Sequence, residues 1–377
     1  MSAVGIIFSN IHDRNISELT RVRTMASIPF ACRYRLIDFP LSNMVNSNIT
    51  TINVITHYNY QSLMDHIGTG KDWDMARRSG GIKILPPYIS AFANNVNELY
   101  HTRLEALKSI NHFIAGMTED YVVMADCDVI CNIDIDDMIK AHIKSGAEMT
   151  FAVHKKALTK ENAKKYTLIK ADEAGVITDI EANPNSFEGE SDVLLNIIVC
   201  SRRYLQQMVL DSIAHDYKSM TKDILMKTLP RRSYMIYRHN GYAATVSSLE
   251  EYFAHNMDLI ADSEKYDSIF KVEERPILTK VRNSPPTYYG EQADVKNSLI
   301  ADGCVIEGNV ENCIIFRGVR VGKGATVKNS ILFQDTIVSD NANLNCVVAD
   351  KNVFIHEGVT LSGAPSIPFY LDKRKMV

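Results

Sequence analysis

After residue 290 the chain carries a six-residue beat. One series is Ile315, Val321, Val327 and Phe333; a second is Val319, Ala325, Ile331 and Ile337. Side chains alternate along a strand, so positions 319 and 321 share a face and both series can fill one core. Gly303, Gly308, Gly318, Gly322 and Gly324 fall where corners are expected. A short fixed period of this kind predicts a hexapeptide parallel β-helix, whose coils bury their apolar face against one another. A short-stranded sandwich is the alternative, but eight apolar positions in register favour the β-helix.

The first two-thirds reads differently. Buried-strand patterns at residues 4–8, 51–56, 121–125 and 149–154 alternate with helical patterns at 39–48, 60–67, 98–113 and 134–144. Further strand-like runs follow at 166–170, 194–200 and 233–238. Strand–helix alternation predicts a doubly wound α/β fold with a mostly parallel sheet. Such sheets bind ligands at the carboxyl ends of their strands, which points to the loops after Phe8, Thr56 and Ala125. Glu273-Glu274-Arg275-Pro276 and Ser284-Pro285-Pro286 mark an irregular connection. The expected organisation is therefore 1–262 as the α/β domain, 263–290 as a linker, and 291–377 as the β-helix.

Charge and cysteines narrow the class. Lys and Arg number 41 against 45 Asp and Glu, a net charge of −4, which is not the basic footprint of a nucleic-acid binder. No apolar run approaches the roughly 18 residues that span a bilayer. The first residues lack a basic segment or a cleavage signal, so no signal peptide is expected. The seven cysteines at 32, 127, 131, 200, 304, 313 and 346 form no Cys-x-x-Cys pair. Neither a disulfide framework nor a zinc site is expected, and the expected location is cytoplasmic.

Arg33-Tyr34-Arg35-Leu36-Ile37-Asp38-Phe39-Pro40-Leu41-Ser42-Asn43 resembles the (K/R)-(F/Y)-R-(I/L)-I-D-F-x-L-S-N stretch of bacterial glucose-1-phosphate adenylyltransferases (ADP-glucose pyrophosphorylases). Asn46-Ser47 and Val54-Ile55-Thr56 continue the match. Ser248-Leu249-Glu250-Glu251-Tyr252, with Asn256 and Leu259, is similar to that family's G-T-L-E-A-Y-x-x-A-N-x-x-L. Residues 313–321 look like the start of its β-helix. The resemblance implies a nucleotide-diphospho-sugar transferase-like domain followed by a left-handed parallel β-helix.

The departures from the family pattern cluster on its chemistry. Nucleotidyl transfer is mostly positioning and charge neutralisation. The family's G-G-x-G-T-R-L loop cradles the triphosphate with backbone N–H groups; here Phe8-Ser9-Asn10-Ile11-His12-Asp13-Arg14 has no glycine. Arg14 is the candidate stand-in for the lost arginine, with a solvated side chain as the alternative. The lysine of R-A-K-P-A is Met25, which carries no charge. G-T-A-D-A becomes Thr102-Arg103-Leu104-Glu105-Ala106, and E-K-P becomes Ala182-Asn183-Pro184. Of the two metal aspartates, Asp128 survives, with Asp126 two residues before it, and the other is Thr245. One carboxylate and a hydroxyl make a poor Mg²⁺ cage, so Asp128 is a weak metal candidate at best.

These losses implicate Asn10, Arg14, Met25, Arg103, Asp128, Asn183 and Thr245 as vestigial active-site positions, and no residue is assigned a catalytic role. The pattern resembles the GlgD-type regulatory subunit that pairs with a catalytic GlgC-type subunit in glycogen biosynthesis. That resemblance implies a hetero-oligomer, a tetramer in this family. It implies no tightly bound cofactor, with Mg²⁺ used by the catalytic partner. It also implies a phosphorylated small-molecule effector, for which Arg33, Arg35 and Arg320 are the candidate contacts; ion pairing between domains is the alternative. His57 and His66 read as structural. An active, divergent nucleotidyltransferase is the competing function. A hexapeptide acyltransferase is a third, for which His356 is the only histidine in the C-terminal domain.

Overall fold

The structure, a computed structural model, describes residues 2–86 and 100–377. The start of the expected helix 98–113, Glu98 and Leu99, lies outside the described residues. By internal contacts the chain divides into two units that interleave along the sequence. The first is Met1–Ile11, Phe39–Thr245 and Glu273–Leu278; the second is His12–Asp38, Val246–Val272 and Thr279–Val377.

The first unit is built on a nine-stranded sheet. Its strands are β1 (Ala3–Phe8), β2 (Thr51–Ile55), β3 (Gly81–Leu85), β4 (Tyr121–Asp126), β5 (Met149–Leu158), β6 (Thr167–Ala171), β7 (Ile177–Ala182), β8 (Gly189–Ser201) and β9 (Tyr234–Arg238). The main path runs β7-β6-β8-β4-β1-β2-β3, with β5 pairing β8 and β9. The half built from β1, β2, β3 and β4 is parallel, as strand–helix alternation predicts. Beyond it β8 runs antiparallel to β4, β5 and β6. Between β5 and β8 the chain has no α-helix of the kind that joins adjacent parallel strands, whereas β9, reached through the helix Arg202–Ala214, pairs parallel with β5.

The helices of this unit are α1 (Asp38–Asn46), α2 (Gln61–Ile67), α3 (Arg103–Ser109), α4 (Ile135–Ser145) and α5 (Arg202–Ala214). Leu104 and Leu107 of α3 and Leu205 of α5 join Val4, Ile6, Val122, Met124 and Ile198 in one core. Helix α1 lies so close to β1 that a Cβ on Gly5 would stand 2.5 Å from the Met44 sulfur. The parallel register sets Phe8 beside both Ile55 and Asp126, so the carboxyl ends of β1, β2 and β4 lie together.

The second unit holds helix α6 (Leu249–Ala261) and a left-handed β-helix of three five-stranded parallel sheets. Its lumen is filled by Val310, Ile315, Val319, Val321, Val327 and Leu332 among others. The coil is shorter than a pure hexapeptide repeat demands. Arg320 pairs with Ile337 and Ile315 with Leu332, a step of 17 residues, after a preceding step of 15 from Val305 to Arg320. Three hexapeptides would give 18. The missing residue shifts the later members of both series. Leu332 and Val338 take the inner places. Ile337 turns outward over Arg320 and is 36% exposed. Phe333 is buried outside the lumen, where its ring meets Phe316 at 5.2 Å and Tyr252 of α6 at 6.3 Å.

Asparagines turn one corner of three successive coils, and Cys346, φ 52°, turns it in the next. Asn297, Asn312 and Asn329 have φ of 42°, 52° and 47°, a left-handed region that asparagine tolerates better than most residues. They stack: Asn297 Nδ2 donates to Asn312 Oδ1 at 2.7 Å, Asn312 to Asn329 at 3.3 Å, and Asn329 to Asn345 at 2.9 Å. Asn329→Ala removes two rungs and keeps the strained φ, so it should cost about 1–3 kcal/mol. Asn329→Gly relieves the strain and should cost less. Urea unfolding of the full chain measures both.

Candidate functional site

At the end of β1 the backbone N–H of Ser9 donates to the Ile55 carbonyl at 3.1 Å. Asn10 follows, 3% exposed, and its Oδ1 accepts from the Tyr100 hydroxyl at 3.2 Å. Among the described residues the buried Asn10 Nδ2 has no hydrogen-bond partner. A side chain fills this turn where a glycine would leave room for a ligand to approach the backbone.

Asp126 ends β4, and its side chain is fully buried. Arg103 opens α3. Thr102 and Glu105 close a capping box at that end, and the Thr102 hydroxyl donates to the Lys218 carbonyl at 2.5 Å. Arg103 Nε donates to both Asp126 oxygens at 2.9 Å, and Nη2 donates to Oδ2 at 2.5 Å. Burial disfavours the guanidinium charge, but the Asp126 carboxylate, with help from Asp128, raises its pKa above the ordinary value. Asp128 is 3% exposed and accepts from Asn196 Nδ2 at 3.3 Å. Thr245 pairs with Val129 on a two-stranded sheet beside the Asp128 loop.

The comparisons agree with this layout. The Nucleotidyl transferase model matches residues 14–244, and the GlmU-like C-terminal hexapeptide model matches 286–365. Glycogen biosynthesis protein GlgD of Bacillus subtilis (strain 168) is 32% identical over 370 residues, 98% of this chain and 95% of that protein. GlgD of Geobacillus stearothermophilus is 34% identical over 324 residues, 86% of this chain and 82% of its own. The glucose-1-phosphate adenylyltransferase of Halalkalibacterium halodurans is 32% identical over 329 residues, 86% and 83% respectively. The chain belongs to the nucleotidyl transferase family, among the glucose-1-phosphate adenylyltransferases and GlgD proteins.

Nucleotidyl transferases of this kind need a divalent metal at the strand ends, and both acids of this unit that could anchor one are already engaged. Asp126 is taken up by Arg103, Asp128 receives an amide, and the remaining position offers a threonine hydroxyl. Mg²⁺ demands near-octahedral oxygen ligation anchored by carboxylates. Asn183 sits at the end of β7 with φ 57°, and its Nδ2 donates to the Lys164 carbonyl at 2.8 Å. That is a turn-closing role. His57 packs its ring against Tyr100 at 4.8 Å, and His66 sets its ring edge-on to Trp73 at 5.6 Å.

The remaining candidates lie in the second unit. Arg14 is exposed in a short turn, Asp13–Ile16. Met25 is 1% exposed, and its N–H donates to Asp13 Oδ1 at 2.7 Å. An apolar side chain is thus buried where the family carries a lysine. Arg33 is exposed and Arg35 is 8% exposed. Arg320 lies on the outer face of the β-helix in an open cavity of about 410 Å³, with Glu307, Asp340 and His356. That cavity includes neither Arg33 nor Arg35.

Arg35 belongs to a group the sequence did not single out. Arg23 donates to both Asp350 oxygens at 2.6 and 2.9 Å, and the two side chains are 2% and 1% exposed. The Tyr370 hydroxyl donates to Asp350 Oδ2 at 2.9 Å. Burial lowers the Lys351 amine to about 6, helped by Arg35, Arg23 and Arg282 and opposed by Asp350. Lys351 thus feels the charges of three guanidiniums, Arg35, Arg23 and Arg282, as well as that of the Asp350 carboxylate. Arg23 stands two residues before Met25, in the stretch that resembles R-A-K-P-A.

Arg23→Ala leaves the Asp350 charge buried and uncompensated, which should cost about 3–5 kcal/mol of stability in urea unfolding. Burial pushes the Asp13 carboxyl up to about 7, against the Met25 N–H and His12, which lower it. A carboxyl raised on folding favours the native state while protonated. Its contribution is complete below the ordinary 3.8 and is lost as pH rises through about 7. Asp13→Asn should flatten that part of the curve of stability against pH.

Proposed function

We propose that this chain is a non-catalytic regulatory subunit of glucose-1-phosphate adenylyltransferase in glycogen biosynthesis. In this reading the partner turns ATP and glucose 1-phosphate into ADP-glucose and pyrophosphate, and this chain modulates it. The carrying observation is the Arg103–Asp126 pair, which neutralises the acid at the strand ends by the chain's own arginine. Transition-state charge on the transferring phosphate then has no metal to offset it. Buried Met25 supports the same reading, because it cannot contact phosphate by charge.

The partner is a GlgC-type catalytic subunit, the assembly a hetero-tetramer, and Mg²⁺ the partner's cofactor. The setting is the cytoplasm, in keeping with seven free, buried cysteines. Among the described residues no helix is long and apolar enough to cross a membrane. A phosphorylated effector is the second ligand class. Guanidinium groups suit it by bidentate bonding, and Arg33, Arg35 and Arg320 are the proposed contacts. The cations gathered beside Arg35 favour an anion there.

Mixing the purified chain with the catalytic subunit tests this. Light scattering should give one hetero-oligomer, and two non-interacting species would contradict the reading. In the mixed enzyme, Arg33→Ala, Arg35→Ala and Arg320→Ala should keep assembly and change the effector concentration for half-maximal activation. Linked sites couple by about 1–3 kcal/mol, so shifts of roughly 5- to 150-fold are the expected range. Three variants identical to wild type would make these arginines structural.

A further inference from the structure

We infer that the Arg103 guanidinium is a tethered cation that has taken over the place of a divalent metal at the strand ends. This rests on the non-catalytic reading above and goes further: the site is not merely short of ligands but already holds its cation. An oxygen of Asp126 and an oxygen of Asp128 lie within 4.8 Å of each other, and the two residues are 2% and 3% exposed. Two buried carboxylates that close together need positive charge between or beside them. Arg103 supplies it with three short bonds to Asp126, while Asp128 adds to the field that favours its charge.

The arginine is held as a ligand would be. It is the first residue of a helix whose end is fixed by a reciprocal capping box and by the Thr102 bond to Lys218. A fork-shaped guanidinium bonded side-on loses little further freedom. A divalent ion bridging Asp126 and Asp128 would have to displace that bond, and one held by Asp128 would sit beside a fixed positive charge. The wild-type strand ends therefore exclude Mg²⁺ and Mn²⁺. The side chain keeps 16% of its surface open. A phosphate reaching this place meets the guanidinium directly, without a bridging metal.

The test is Mn²⁺ titration of the full-length chain, read by loss of the free-ion paramagnetic resonance signal. Wild type should bind no stoichiometric Mn²⁺ below millimolar concentration. Arg103→Ala and the length-preserving Arg103→Gln should each take up one Mn²⁺ at least tenfold more tightly. Adding Asp126→Asn to Arg103→Ala should return binding to the wild-type level. Wild type binding one Mn²⁺ as tightly as the variants overturns the inference, and so do folded variants that bind no better than wild type. Should both single variants fail to fold by circular dichroism, the wild-type titration decides, with tight binding lost in Asp128→Asn counting against it. Pyrophosphate release by wild type speaks to the non-catalytic reading alone, so the two failures are told apart.

Discussion

A carboxylate buried at the end of a central strand must be given a cation. Asp126 has no exposed side-chain surface, and unpaired burial of such a charge costs several kcal/mol. In this chain the counter-charge is covalent. Arg103 arrives on the first turn of α3 and closes on Asp126 from the same unit. The choice fixes much else: the helix must start there, Thr102 must cap it, and the Lys218 carbonyl receives the capping hydroxyl. The second unit repeats the solution. Asp350 is equally buried and is met by Arg23, 327 positions earlier in the chain. Each unit thus balances a buried acid with an arginine of its own, and neither pair leaves its acid free to hold a diffusing metal.

What the sequence could show follows from the range of each interaction. Strands and helices are set by local periodicity, so β1, β2, β4 and α4 stand within a residue or two of expectation. The β-helix was legible for the same reason, but its pitch was not. A six-residue count sees apolar positions, whereas the coils step by 15 residues from Val305 to Arg320 and by 17 from Arg320 to Ile337, with left-handed corners such as Asn329 and Asp335. Ile337 consequently looks like core in the sequence and stands outside in the fold. The lost glycines, the lysine replaced at Met25 and the acid replaced at Thr245 were visible as residue types. The bonds of Arg103 and Arg23 were not, because their partners lie 23 and 327 positions away.

The pattern of loss gives these observations a direction. A loop filled by Asn10, a buried Met25 and an arginine on the strand-end acid each remove a means of handling phosphate charge. The cations beside Asp350 and the asparagine-cornered β-helix remain well built. A chain that keeps its scaffold and its positive cluster while its strand-end acid is bonded by its own arginine is what the regulatory reading proposed above expects.

The most direct measurement is pyrophosphate release by the purified chain alone, supplied with ATP, glucose 1-phosphate and Mg²⁺. The account predicts no turnover above background. A rate on the order of 10 s⁻¹, ordinary for an enzyme, would contradict it.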